Sequence, residues 1–201
     1  MHDGNERLAQ DVTTLGAMAG QMADYLDSEI LFWPLGRGDM PMLTLGGYLL
    51  REHRLLALPQ LLTPEQRTQV DAAIFQFNQA LSNRVVRFEA KAQHELEARL
   101  RQWTETLREM EHGTLQRSSN YATVVETRAM IHALLDRLSM PPYRPDARSG
   151  QQVALLDTRL QGRWQPGDFA WPTEWQPAYP RGEYWWLYGA PRVSKYAGDR
   201  D

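Results

Sequence analysis

Acids and histidines are the residues of this chain best suited to chemistry, and spacing decides what each grouping can do. His94-Glu95 opens like the helical zinc motif in which a second histidine one turn later completes the metal pair. That position is Ala98, so the ligand set is not built. Glu126 is a starting point for the Glu-x-x-His spacing of di-iron bundles, but Ala129 stands where the histidine belongs. Ser118-Ser119 lies in a polar turn without the G-x-S-x-G elbow of a nucleophilic serine. Leu35-Gly36-Arg37-Gly38-Asp39 resembles a glycine loop, yet it lacks both the Lys-Ser/Thr end of a phosphate loop and the third glycine of a dinucleotide fingerprint. It reads as a turn. Glu52-His53-Arg54 remains as one acid/base pair on a short helix beside Phe32-Trp33. These patterns predict no catalytic residue, no metal site and no cofactor. With no cysteine in the chain, thiolate ligands, disulfides and a cysteine nucleophile are excluded.

The elements that must position these residues are helical. From Asn5 to about Glu29 there is no proline, and Leu8, Val12, Leu15, Met18, Met22, Tyr25 and Leu26 recur at spacings of three and four, which predicts an amphipathic helix. Ile30 to Leu43, with Pro34 and Pro41, is a connection. Thr44 is placed to cap a helix that runs to about Leu58 and ends at Pro59. Thr63-Pro64-Glu65-Gln66 is a capping-box start. Beyond it an apolar stripe runs from Val70 through Phe77, Phe88, Leu96, Leu100, Trp103 and Leu107 to Met110. It predicts one long helix over 64–112, about 70 Å in length at 1.5 Å per residue. Glu89, Lys91, Glu95, Glu97, Arg99, Arg101 and Glu105 form its solvated face in this reading. His112-Gly113 stops it, Gln116 to Ser119 turns the chain, and a helix from Asn120 to Ser139 returns along it as a helical hairpin. The fold class expected is mainly α, a helical bundle built on that long helix.

Eight of the twelve prolines and five of the seven tryptophans lie in 141–201, which divides the chain into a helical bundle over 1–140 and an aromatic, proline-rich segment over 141–201. The latter is expected to carry a helix from Ser149 to about Leu160 and then to be irregular or to contain short strands such as Tyr184 to Tyr188, its aromatic side chains forming a lid that wraps the bundle.

Net charge of −3 gives the whole chain no attraction for polyanions. No apolar run approaches the ~20 residues of a membrane span, and the first residues lack a signal-peptide pattern, so a cytoplasmic, membrane-free location is the expectation. The long helix exceeds what its own domain covers, and this points to a non-enzymatic interaction protein, a scaffold or accessory subunit with a protein partner or self-association. The candidate surface comprises Phe88, Leu96, Leu100, Trp103 and Leu107 on the long helix, with Trp171, Trp175, Arg181, Trp185 and Trp186 in the aromatic segment. Nucleic-acid binding through the Arg and Trp residues of that segment is the alternative. An enzyme acting between the Glu52-His53 helix and the aromatic segment is the second alternative.

Overall fold

The computed structural model describes residues 2–36, 38, 40–112, 121–144 and 146–192. Six α-helices account for most of them: α1 (His2–Asp27), α2 (Leu45–Ala57), α3 (Pro64–Ser82), α4 (Val85–His112), α5 (Tyr121–Ser139) and α6 (Ala147–Gln161). A two-stranded antiparallel ribbon, β1 (Trp164–Phe169) with β2 (Tyr188–Pro191), pairs Trp164 with Pro191 and Gln165 with Ala190. Short 3₁₀ turns fill 59–61, 173–178 and 185–187. The chain is mainly α-helical, as its periodicity predicts. Gly113 and the 116–119 turn lie outside the described residues, as do Arg37 and Asp39 of the glycine loop.

Local capping chemistry sets the starts of α2 and α3. Thr44 Oγ1 accepts from the Gly47 amide at 3.0 Å. Thr63 Oγ1 accepts from Gln66 N, while Gln66 Oε1 accepts from Thr63 N, which closes the capping box in both directions.

The single helix expected over 64–112 is two helices. Asn83 leaves helical geometry at φ −100°, ψ 0°, and α4 begins two residues later. The cause is tertiary. Arg84 donates from Nε and Nη2 to the two carboxylate oxygens of Asp27 at 2.9 and 2.8 Å, and Arg87 adds a third bond to the same carboxylate at 2.7 Å. A bidentate pair of this kind fixes direction as well as distance, so the chain turns at the end of α1 instead of running straight on. The two pieces are roughly 29 and 42 Å long at 1.5 Å per residue. α3 lies along α1, and α4 packs against α5, α6, α2 and α1. The apolar stripe is therefore covered from within the chain.

The expected solvated face of α4 holds at Glu97, Arg101 and Glu105, which are exposed, and is corrected at Glu95 and Arg99. Glu95 is 0% exposed and Arg99 is buried. Lys91 is half-buried and donates to the carbonyls of Tyr25, Ser28 and Ile30 at 2.7, 2.8 and 3.0 Å, satisfying acceptors at and beyond the end of α1.

In the aromatic segment the strand expected at Tyr184–Tyr188 is a 3₁₀ turn over 185–187, followed by β2. Successive side chains of a strand point to opposite faces. Here the consecutive Trp186 and Leu187 are both buried, so the segment lacks the in-out alternation of a half-exposed strand. Gly189, at φ +149°, lets the ribbon close: a Cβ there would sit 2.1 Å from the Gln165 carbonyl oxygen. One continuous apolar core links α1 to α6 with Trp171, Trp175, Tyr179, Tyr184 and Trp186.

Candidate functional site

α2 is the central helix, in contact with α1, α3, α4, α5 and the 173–178 turn. Its first turn carries no acidic residue of its own, so its leading amides need acceptors from elsewhere. Glu95 of α4 supplies them. Its carboxylate accepts from Leu45 N at 2.7 Å and from Gly46 N at 3.1 Å, and Arg99 Nε donates to it at 3.3 Å. Burial pushes the Glu95 carboxyl up, against the pull of Arg99 and of the two amides. Only glycine fits at position 46, because a Cβ there would stand 2.8 Å from Glu95 Oε1 and 3.1 Å from Met130 Cβ.

With α2 fixed in this way, Glu52 and His53 face α5 and the aromatic segment. Between them lies a half-open pocket of about 170 Å³. Its walls are Leu49, Leu50, Leu56, Ala129, Ala133 and Met140, and its polar groups are Glu52, His53, His132, Asp136, Arg137 and Tyr184. His132 and Asp136, four residues apart, share one face of α5, and the small Ala129 and Ala133 on that side leave the room.

The polar groups fall into two kinds. His53 is engaged: Nε2 donates to the Ala178 carbonyl at 2.7 Å and lies 3.3 Å from the Tyr184 hydroxyl. A carbonyl only accepts, so this bond assigns the Nε2 proton. The other kind is open. Burial pushes the Glu52 carboxyl up from its ordinary range, opposed only by the positive charge of Arg137, and no hydrogen bond holds it among the described residues. Burial also lowers His132, with Arg128 acting in the same direction. Its ring packs edge-on to Tyr184 at 4.7 Å and against Trp186 at 5.6 Å. Arg137 turns its guanidinium toward the Phe77 and Phe88 rings, at 5.8 and 5.9 Å, and its Nε is buried without a partner. Glu52 is half-buried at the cavity wall, where its carboxyl faces the pocket rather than a partner in the protein.

On the other side of α2, Arg54 is enclosed. Its guanidinium lies 3.9 Å from the Trp175 ring centre, Nε donates to the Tyr179 hydroxyl at 2.9 Å, and Asp11 pairs with both Arg54 and Arg51. Arg54 is therefore a structural cation, while its neighbours Glu52 and His53 in the sequence triplet look into the pocket.

The surface nominated from sequence is not a surface in this conformation. Phe88, Leu96, Leu100, Trp103 and Leu107 are buried between α4 and its neighbours, and Trp171, Trp175 and Trp186 are buried in the same core. Trp171 Nε1 donates to Ala122 O and Trp175 Nε1 to Gly4 O, while Trp186 carries Arg128 at 3.7 Å from its ring centre. Trp185 is half-buried edge-on to Trp164, and only Arg181 is fully exposed. Among the described residues Trp171, Trp175 and Trp186 are buried, while Trp164 and Trp185 are half-buried.

Sequence reasoning found Glu52 and His53 but missed His132, Asp136, Arg137 and Tyr184. The i, i+4 spacing of His132 and Asp136 beside two alanines is the signal that was present. Among the described residues, no group of three or more His, Asp or Glu is placed to hold a metal ion, and no helix is long and apolar enough to cross a membrane. Comparison with protein-family models, with curated proteins and with solved structures finds no match to this chain.

Proposed function

We propose that this protein binds a small ligand in the pocket formed by α2, α5 and Tyr184. The observation that carries the reading is Glu52, a half-buried carboxyl with no hydrogen-bond partner among the described residues, set in a cavity of mixed apolar and polar lining. No serine, threonine or cysteine lines the pocket, and the His53 Nε2 proton is held by Ala178, which favours a binding reading over one built on a hydroxyl or thiol nucleophile. Ligand-observed NMR with a small set of cationic, neutral and anionic fragments tests the proposal. Binding by the native chain that is lost in Ala133→Leu, which fills the pocket from its wall, supports it. Failure of every fragment, or unchanged binding by Ala133→Leu, refutes it.

An accessory-subunit role through self-association is the second reading, and it rests on a different observation. Ile30, Phe32 and Met42, all on the connection between α1 and α2, are 49%, 42% and 55% exposed, three apolar side chains open to solvent on one segment. Light scattering at rising concentration, on the native chain and on Phe32→Ser, decides it: a monomeric mass throughout removes the reading.

A further inference from the structure

We propose that the ligand of this pocket is a small organic cation, a short-chain primary ammonium, an inference that rests on the pocket being a binding site. Charge balance is the first argument. Two carboxylates, Glu52 and Asp136, line the pocket against one guanidinium, and Arg137 directs that guanidinium at the Phe77 and Phe88 rings with its Nε fully buried. An ionised carboxylate only accepts hydrogen bonds, so a guest that satisfies Glu52 must bring donors, and an ammonium brings three.

Surroundings and size narrow the class further. The Tyr184 ring forms part of the wall, and a tyrosine face attracts a cation when its ring is within about 6 Å. Leu49, Ala129, Ala133 and Met140 give the opposite requirement, an alkyl stem of a few carbons. The volume, about 170 Å³, holds about six waters at roughly 30 Å³ each, so the group that enters is small, on the scale of a butyl chain with one head group. An anionic guest would set a further negative charge beside a carboxyl that is already desolvated. A neutral alcohol offers one donor where the site lacks several.

Isothermal titration of the native chain with n-butylammonium, 1-butanol and butyrate, compounds of similar length that differ in charge, tests the assignment. The expected result is that n-butylammonium binds at least tenfold more tightly than the other two and that Glu52→Gln removes this preference. Ala133→Leu should lose all three. Equal or tighter binding of 1-butanol or butyrate, still abolished by Ala133→Leu, overturns the cation assignment and leaves the pocket reading standing. No binding by any of the three compounds, nor by the wider fragment set, overturns both. Circular dichroism of each variant confirms that the helices are retained, so a loss of binding reports on the pocket.

Discussion

Truncation of Glu95 to alanine removes the acceptor that two elements share. In the native chain its carboxyl accepts from the first two amides of α2 at 2.7 and 3.1 Å and from Arg99 at 3.3 Å, at a position with 0% exposure. After Glu95→Ala, the Leu45 and Gly46 amides are buried donors without partners, each costing about 1–3 kcal/mol. Arg99 also loses its ion pair in a buried setting, where breaking a pair by removing one member costs about 3–5 kcal/mol. These terms overlap because they concern one carboxyl, so the expected loss is about 3–5 kcal/mol, not their sum. Domains of this kind hold together by only about 5–15 kcal/mol. Urea unfolding followed by tryptophan fluorescence should therefore show a large drop in midpoint with little change in slope. Glu95→Gln keeps one carbonyl oxygen and should recover part of the loss. Glu97→Ala, two residues along the same helix and exposed, should stay within about 0.5 kcal/mol of the native chain. A Glu95→Ala loss below about 1 kcal/mol would refute the claim that this carboxyl anchors α2.

Gly46→Ala should cost about 1–3 kcal/mol by overpacking against Glu95 Oε1 and Met130. It should cost less in a Glu95→Ala background, which a double-mutant cycle in urea measures. Asp157→Ala leaves Arg128, buried with Nε and Nη2 both bonded to Asp157 at 2.8 Å, without its counter-ion. A loss of about 3–5 kcal/mol is expected by urea unfolding. Glu52→Gln should stabilise the fold at pH 7 by roughly 0.5–2 kcal/mol, since it removes a desolvated charge kept for the site. The folded pKa of Glu52 is raised, so the fold's preference for the protonated form is complete below the ordinary carboxyl value and disappears as pH rises through the raised one. The advantage of Glu52→Gln at pH 7 should consequently close when the same unfolding curves are taken near pH 4. Asp27 behaves oppositely: its hydrogen bonds to Arg84 lower its pKa, so its contribution is present above the ordinary value and is lost on acidification. Asp27→Asn should accordingly destabilise at pH 7 and approach the native chain at pH 3 in the same assay.

What sequence revealed and what it concealed divide along locality. Thr44 and Thr63 are legible as caps because the acceptor and the donors it serves lie within three residues of each other. The break at Asn83 is not. Neither Asn83 nor Arg84 is a helix breaker of the rank of proline, and the carboxylate that pulls Arg84 aside belongs to Asp27, 57 residues earlier. Glu95 was misread for a related reason. Charge normally marks the solvated face, but Glu95 and Arg99 lie on the same side of α4 as Phe88, Ala92 and Trp103, and an acid in phase with an apolar stripe signals a buried acceptor. For the pocket, the Glu52-His53 half is visible as a dipeptide. The rest comes from α5 and Tyr184, some 80 and 130 residues away, and becomes a site only when α2 and α5 pack.

The enclosure of Arg54 also sets a timetable for synthesis. Arg54 and Asp11 precede Trp171, Trp175 and Tyr179, which close over the guanidinium, by more than a hundred residues. The Trp175 indole then fastens this segment to Gly4 near the start of α1. A nascent chain halted before Trp171 holds a buried cation with its aromatic roof missing, and α1 has nothing to secure its first turn. Closure over Arg54 therefore waits for the aromatic segment to dock. A chain truncated before Trp171 should be more protease-sensitive in α1 and α2 than the full chain under the same limited digestion.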